Sequence, residues 1–297
     1  MPSPMPSPTT SGCSQGGLHY ATYGTGQPLL AIHGLGASMY SWRNFVEKPE
    51  DTFPGYQIIL IDLKGAGTSA KPHDKNYSIL TQRDLVLQFI QERNLKNLTL
   101  VGNSYGGAVS LLVAIKLCEP DKPKILSKLI LIDSGGYDLL LPWYLKLLRT
   151  PVLGWLALHL LSPKQSAETV LKNAYYNDHL ITDPQIAAYA KPIGSRGGRY
   201  ALLQIAKGVI PPGIDKIIAQ YSSIKVPTFI LWGLDDKVIP LKIGEMLHAA
   251  IGGSRLELIN HCGHVPQEEK PAETICWMRE FLGLPFKPCP KSLRTEI

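Results

Sequence analysis

A serine lies between two glycines in the stretch Gly-Asn-Ser-Tyr-Gly, residues 102–106, directly after an apolar run and directly before a helix-like segment. A serine hydroxyl attacks a carbonyl carbon when a base removes its proton, and a sharp strand-to-helix turn would expose that hydroxyl. Small neighbours permit such a turn, and the start of a helix presents backbone N–H groups to negative charge. We therefore predict that Ser104 is a nucleophile; a structural serine in a glycine-rich loop is the alternative.

Two histidines, His261 and His264, follow the last apolar run, in the stretch Asn-His-Cys-Gly-His-Val-Pro. A nucleophilic serine needs a base, and Gly263 and Pro266 place His264 in a loop that can lean over the strand ends. We expect His264 to be the base and His261 to pack within the loop. No further ligand cluster with zinc spacing accompanies these histidines, so we predict no metal site and no cofactor.

Three carboxylates could orient that base. Asp235 and Asp236 follow the apolar run Pro-Thr-Phe-Ile-Leu-Trp-Gly, and Asp133 ends an earlier apolar run. Adjacent carboxylates point in different directions, so normally only one of them serves. Asp236 is favoured, with Asp235 and Asp133 as alternatives. The chain order would then be Ser, Asp, His, and the three residues would form a catalytic triad.

An oxyanion hole needs two backbone donors beside the nucleophile. The first is the N–H of Tyr105, the residue after the serine. The second comes from a loop after an early strand, and the stretch His-Gly-Leu-Gly at 33–36 fits, because its glycines let the backbone approach a carbonyl oxygen. We predict Leu35 as this donor and a structural hydrogen-bonding role for His33.

Apolar runs that alternate with helix-like stretches must position these residues. The runs predicted as buried parallel strands are 28–32, 57–62, 97–102, 128–133, 227–233 and 255–259; the predicted helices include 80–94, 105–117 and 271–283. This alternation predicts an α/β fold with a mostly parallel central sheet flanked by helices. A Gly-x-Gly-x-x-Ala match at 65–70 is not expected to bind a dinucleotide, because no helical pattern begins until about Ile79.

Five motifs in this order resemble the α/β-hydrolase superfamily, from about residue 18 to residue 283. They are His33-Gly34, the 62–69 turn, Gly102 to Gly106, Trp232-Gly233 with Asp236 and Pro240, and Gly263-His264 with Pro266. The resemblance implies the α/β-hydrolase fold, an inserted helical cap and, because Ser104 stands where other branches carry Asp, a serine-nucleophile enzyme of the esterase or lipase type. Many reactions share this fold, so the motifs do not specify the substrate.

Some features are similar to the meta-cleavage-product hydrolases, which break carbon–carbon bonds. Asn103 and the stretch Ser-Trp-Arg-Asn-Phe at 41–45 carry this similarity. The chain departs from that group at Val265, where its members usually have Trp, and in the first loop, which lacks their Gly-Pro-Gly pattern. Carbon–carbon hydrolysis is therefore the alternative activity.

The predicted organisation has four parts. Residues 1–16 form a disordered tail, 17–136 and 224–284 the α/β-hydrolase core, 137–223 a helical cap insertion, and 285–297 a C-terminal tail. The first and last segments are rich in Pro and small polar residues, while the region from about 137 to 223 shows no good strand.

Bulk properties restrict the partners. The formal net charge is +6, and the Lys and Arg residues are scattered, so nucleic acid is not an expected partner. The five cysteines include no Cys-x-x-Cys pair and are odd in number, which predicts free thiols in a reducing compartment, and the start of the chain has no signal-peptide pattern. We expect a cytoplasmic protein without a transmembrane span.

The predicted function is a serine hydrolase that cleaves a small-molecule carboxylic ester with an apolar acyl or aromatic part through an acyl-enzyme. The apolar stretch 139–161 in the cap supplies the candidate substrate contacts Trp143, Leu147, Trp155 and Leu158. Docking of this stretch on a lipid surface is its alternative role. Amide, thioester or perhydrolase activity, or slow-turnover or purely binding behaviour on the same scaffold, are further alternatives, and the sequence does not predict the oligomeric state.

Overall fold

An eight-stranded sheet organises the residues that the computed structural model describes, 5–138 and 143–285. The strands are β1 (Thr10–Cys13), β2 (His19–Tyr23), β3 (Gln27–Ile32), β4 (Tyr56–Ile61), β5 (Leu98–Asn103), β6 (Leu126–Ile132), β7 (Thr228–Gly233) and β8 (Arg255–Ile259). Their order is β1-β2-β4-β3-β5-β6-β7-β8; β2 pairs antiparallel with β1 and β4, and all pairings among β3 to β8 are parallel. The prediction of six parallel strands is confirmed.

Burial on both faces explains why the inner strands β3 to β7 are nearly continuous apolar runs. Every residue of β5 and of β7 is buried. Alternate side chains enter two separate clusters: Leu100 and Trp232 pack on one side of the sheet, while Val101 and Leu231 pack on the other. The carboxyl ends of β3 and β5 to β8 therefore meet along one edge of a rigid sheet.

Thirteen α-helices flank or cap the sheet. They are α1 (Arg43–Val46), α2 (Pro49–Thr52), α3 (Ile79–Glu92), α4 (Tyr105–Leu117), α5 (Trp143–Arg149), α6 (Pro151–Leu160), α7 (Pro163–Ala174), α8 (Asp183–Gly194), α9 (Gly198–Lys207), α10 (Ile214–Ile218), α11 (Leu241–Ala250), α12 (Pro266–Glu269) and α13 (Pro271–Leu282), as counted over the described residues. Short 3₁₀ turns occur at Met39–Trp42, Asp178–Leu180 and Tyr221–Ser223. Helix α3 begins at Ile79 behind the N-cap Ser78, so no helix starts at the 65–70 glycine stretch.

Six of these helices, α5 to α10, lie between β6 and β7, and the described residues of that insertion form no strand. We call α5 to α10 the cap. Helices α7 and α8 both start with capping boxes, at Ser162 and Thr182, and pack against each other. Their apolar faces meet Val265 of the core, so the cap rests on the loop that carries His264.

Two expectations about the chain are wrong in part. The segment predicted as a disordered tail contains β1, which pairs with β2 through Thr10 opposite Thr22. Strand β1 is a short, mostly exposed edge strand, so it lacks the apolar alternation by which a strand is recognised. Cys13, Cys118 and Cys262 are free thiols as expected, but Cys276 is disulfide-bonded; Cys289 lies outside the described residues.

Within the described ranges, no helix has the length and apolar character needed to cross a bilayer.

Candidate active site

Ser104 occupies the turn between β5 and α4 with φ 57° and ψ −120°, in the positive-φ region that non-glycine residues rarely adopt. The surrounding glycines make this turn possible. A Cβ at Gly106 would lie 2.2 Å from the Ile32 carbonyl oxygen, and one at Gly102 would lie 2.4 Å from the Gly106 carbonyl oxygen. The strained backbone and close packing present the serine hydroxyl at the carboxyl edge of the sheet, as the Gly-Asn-Ser-Tyr-Gly motif predicts.

A continuous hydrogen-bonded chain connects Ser104, His264 and Asp236. The distance from Ser104 Oγ to His264 Nε2 is 2.7 Å, and that from His264 Nδ1 to Asp236 Oδ2 is also 2.7 Å. The other oxygen of Asp236, Oδ1, accepts the backbone N–H groups of Val238 and Ile239 at 2.7 and 3.0 Å. A carboxylate held in this way orients the imidazole with Nδ1–H toward it and leaves Nε2 to accept the serine proton.

The two other candidate acids have different surroundings. Asp235 donates its backbone N–H to the Cys262 carbonyl. Among the described residues, the hydrogen bond from His264 goes to Asp236 and not to the Asp235 side chain. Asp133, at the end of β6, is completely buried with φ 43°, and its Oδ1 accepts the N–H of Gly233 at 3.0 Å. Burial, reinforced by the neighbouring Asp236 carboxylate, raises the pKa of Asp133 well above its usual range. Asp236 therefore faces the base, with Asp133 beside it.

The predicted oxyanion residues lie next to the serine. Leu35 and Tyr105 both line the cavity that contains Ser104, and a Cβ at Gly34 would lie 3.2 Å from the Ser104 Cβ. His33 has the structural role predicted for it: its Nδ1 is 2.8 Å from the Gly34 carbonyl oxygen, and its Nε2 accepts the Leu63 N–H at 3.1 Å. Burial lowers the pKa of His33, which matches a neutral, hydrogen-bonded imidazole.

The loop that carries His264 is buried and fixed from several directions. The Asn103 side-chain amide donates to the His264 carbonyl oxygen at 3.0 Å, and Asn103 Oδ1 accepts from Gln267 at 3.1 Å. The His264 N–H donates to the Ala174 carbonyl oxygen of the cap at 2.6 Å. The Asn103 contact is not predictable from the sequence, because it depends on how the His264 loop folds over the sheet. His261 is exposed, with its ring 5.5 Å from that of Tyr176.

An apolar cavity of about 130 Å³ opens from Ser104 and His264 into the space between core and cap. Its apolar lining comes from both parts and includes Leu35, Ala37, Ala108, Leu112, Leu145, Val170, Leu171, Val209, Ile210, Ile214, Ile217, Val238, Ile239, Ile243 and Val265. Asn103, Tyr137, Asp138, Tyr189 and Tyr221 add polar atoms. No Lys or Arg belongs to the described lining.

Three of the four cap residues predicted to contact substrate, Leu147, Trp155 and Leu158, are not part of the described lining of this cavity. Leu158 is buried elsewhere in the cap, Leu147 is half-buried, and Trp155 is 51% exposed and stacked on His159. The Trp143 side chain lies outside the described part of the chain. The correction has a simple physical reason: α6 packs on α5 and α9, so its apolar residues are divided between the cap interior and solvent. Among the described side chains of this stretch, Leu145 lines the cavity.

Comparison with known proteins agrees with the geometry. A family profile of the α/β-hydrolase fold matches residues 27–271, most of the chain. The chain belongs to the α/β-hydrolase fold family. The resemblance noted from the motifs is thereby confirmed.

Curated relatives of this α/β-hydrolase include a lipase and a dienoate hydrolase. Lipase 3 of Moraxella sp. is 30% identical over 259 residues, which cover 84% of this chain and 75% of that protein. The 2-hydroxy-6-oxo-6-phenylhexa-2,4-dienoate hydrolase of Comamonas testosteroni is 27% identical over 261 residues, covering 86% and 87%. Among solved structures, an α/β-hydrolase fold protein of Burkholderia ambifaria superposes with a TM-score of 0.80 at 22% identity, covering 93% and 98% of the two chains, and supports the fold alone.

Proposed function

We propose that this α/β-hydrolase is a serine hydrolase that cleaves a carboxylic ester with an apolar acyl or aromatic part through an acyl-enzyme. The observation that carries the proposal is the hydrogen-bonded chain from Asp236 through His264 to Ser104, which ends in an apolar cavity. Nucleophile, base and orienting acid are within hydrogen-bonding distance of one another, which is what covalent acyl transfer requires.

In the proposed reaction, Ser104 Oγ attacks the ester carbonyl while His264 Nε2 takes its proton. The N–H groups of Leu35 and Tyr105 stabilise the resulting oxyanion. The tetrahedral intermediate then breaks its bond to the alcohol, which receives the proton from His264. A water molecule attacks the acyl-enzyme with His264 again as base, and the acid leaves as Ser104 recovers its proton.

The lining of the cavity favours a neutral ester over the carbon–carbon alternative. The substrate that gives the Comamonas enzyme its name is a dienoate, which carries a carboxylate. A buried carboxylate needs a charged or strongly hydrogen-bonding partner, and the described lining supplies no Lys or Arg. An apolar acyl chain would instead fit the many aliphatic side chains of the cavity, and the similarity to a lipase supports the same substrate class.

A p-nitrophenyl ester assay combined with a fluorophosphonate probe tests the proposal. Ser104→Ala should lower kcat/KM by orders of magnitude and abolish labelling, because the nucleophile is gone. Ser110→Ala is the matched control: Ser110 is a buried serine in α4, the helix that follows Ser104, and does not line the described cavity, so labelling and turnover should persist.

Near-normal turnover by Ser104→Ala would reject the mechanism. Labelling of the wild-type protein without turnover of any ester would instead favour amide, thioester or carbon–carbon cleavage, or a slow-turnover binding protein.

A further inference from the structure

Asp133 is a buried acidic group beside the proposed triad that the reaction described above does not use. It has no solvent exposure, and its backbone adopts φ 43° at the end of β6. One of its carboxyl oxygens lies within 4.8 Å of both an Asp236 carboxyl oxygen and a His264 ring nitrogen. Its Oδ1 accepts the Gly233 N–H, while its Oδ2 is buried without an N–H or hydroxyl partner among the described residues.

Two ionised carboxylates with oxygens within 4.8 Å of each other in a buried site repel strongly, which favours a proton on one of them. Asp236 is the better anion because it accepts three N–H groups, from Val238, Ile239 and His264. Asp133 accepts one. A proton on the free oxygen of Asp133 removes the repulsion and gives this oxygen a hydrogen-bond acceptor in Asp236.

The other groups around Asp133 favour the same proton position. Glu269 of α12 adds negative potential, and the Cys262 thiol nearby is buried and has a raised pKa, mainly because burial disfavours the thiolate. His264 can become a cation near Asp133, but its Nδ1 is already bonded to Asp236, and Lys270 acts on the neighbouring Cys262 thiol. Among the described residues, no salt bridge compensates a charge on Asp133.

We infer that Asp133 is kept as a neutral carboxylic acid that donates a hydrogen bond to Asp236 and so holds the Asp236 carboxylate in register with His264. Asp133 is thus a positioning residue, and this role rests on the proposed function of the triad. Its strained backbone fits the role, because φ 43° aims the side chain at the end of β7.

Asparagine and valine at position 133 separate this role from alternatives. An Asn amide can accept from Gly233 through its oxygen and donate to Asp236 through its NH₂ group, whereas Val can do neither at similar volume. We expect Asp133→Val to react with a fluorophosphonate about tenfold more slowly, as befits the loss of a buried hydrogen bond. We expect Asp133→Asn to recover most of that rate.

The pH profile of labelling provides a readout that a merely structural role would not change. Without the donated hydrogen bond, Asp236 is more basic and stabilises protonated His264, so the acid limb of the profile should move to higher pH in Asp133→Val. In Asp133→Asn the limb should stay close to that of the wild-type protein, while Asp236→Asn should lose labelling at all pH values. Ser104→Ala provides the blank.

Infrared spectroscopy tests the proton directly and needs no substrate. The wild-type protein at neutral pH should show the carbonyl band of a buried protonated carboxylic acid, and Asp133→Asn should lack it. Absence of that band in the wild-type protein would overturn the inference. Slow labelling of folded Asp133→Asn protein would also overturn it, whether or not Asp133→Val folds.

The same measurements distinguish the other outcomes. Loss of labelling on chelation, reversed by added metal, would place a cation rather than a proton between the carboxylates and would overturn the inference. If the wild-type protein failed to label at all, the proposed function would fail, whereas the infrared band would still decide the protonation of Asp133.

Discussion

Asp235 and Asp236 are adjacent in the chain, but only Asp236 has its carboxylate bonded to His264. Asp236→Asn replaces the acceptor that fixes the imidazole tautomer, and we expect kcat/KM to fall by about 10³–10⁴-fold. Asp235→Asn is the matched control and should stay within a few-fold of the wild-type value. Steady-state kinetics with a short p-nitrophenyl ester, together with thermal melting to verify folding, would measure both. A severe loss in Asp235→Asn but not in Asp236→Asn would reassign the acid.

The raised pKa of Asp133 has a consequence for stability that does not depend on catalysis. Its folded-state pKa lies above the unfolded value of about 3.9, so the unfolded chain releases the proton as pH rises while the folded protein retains it. This linkage lowers the free energy of unfolding with rising pH until the folded-state pKa is reached. Asp133→Asn removes the linkage, so its melting temperature relative to the wild-type protein should increase between pH 4 and pH 8. If the melting temperature of Asp133→Asn minus that of the wild-type protein fell over this range, the result would contradict a raised pKa.

Residues that act through backbone contacts are the part of the site that the sequence does not reveal. Ser104, Asp236 and His264 were predicted because each follows an apolar strand at the same sheet edge, and parallel strands bring such ends together. Asn103 ties the nucleophile turn to the His264 carbonyl, and Glu269 accepts the Gly263 N–H at 2.7 Å. Neither contact follows from residue type or spacing, because both depend on how the loops fold over the sheet.

At the scale of elements, the predictable secondary structure is the buried part, because burial selects apolar residues at regular spacing. The strands from β3 to β7 are mostly buried, so selection for burial makes them apolar and recognisable in the sequence. Strand β1 is an exposed edge and gave no such signal. Likewise, the mostly apolar helix α6 does not reveal which face turns inward, since its uniform composition carries no amphipathic period.

Because some cap residues face the cavity and others face solvent, substitutions of the two kinds should affect the acyl-chain-length dependence of kcat/KM differently. Val170 of α7 lines the cavity, whereas Val152 of α6 is 68% exposed. Val170→Phe should fill part of the cavity and lower kcat/KM for long p-nitrophenyl esters by roughly fourfold per excluded methylene, while acetate is little affected. Val152→Phe is the matched control and should leave the ester series unchanged below the micelle concentration. An identical series for both variants and the wild-type protein would refute acyl binding in this cavity.

The exposed apolar residues of helix α6 make contact with a lipid surface a testable prediction. Val152, Leu153, Trp155, Leu156 and Leu160 are all exposed, Leu160 to 78%. The charged residues of the sequence from 143 to 164 are Lys146, Arg149 and Lys164, all positive, and these would favour anionic lipid.

Replacement of one exposed leucine tests this role of α6. Leu160→Ser should weaken sedimentation with anionic phospholipid vesicles several-fold without changing turnover of soluble esters. Leu258→Ser, an exposed leucine of β8, is the control and should not alter vesicle binding. Equal binding by all three proteins would exclude α6 as the contact.

At the scale of the whole molecule, core and cap are joined by buried polar groups directly after His264. Glu268 of α12 forms an ion pair with Arg43 of α1 and accepts a hydrogen bond from Tyr189 of α8. The adjacent Glu269 accepts the N–H groups of Tyr176 and Asn177 at 3.0 and 2.8 Å. Because the same short segment carries His264 and these contacts, we expect a shift of the cap to move His264 relative to Ser104.

A double-mutant cycle on Arg43 and Glu268 measures that connection. Arg43→Met leaves the buried Glu268 carboxylate without its cation, and Glu268→Leu leaves Arg43 without its anion, so each should lower the free energy of unfolding by about 3–5 kcal/mol. The double variant should be more stable than the sum of the single effects predicts, because no buried charge is left unpaired. Labelling of Ser104 by a fluorophosphonate should slow in the single variants at temperatures where they remain folded, because a displaced α12 moves His264. Normal labelling in the single variants, despite their lower stability, would show that the triad keeps its geometry independently of the cap.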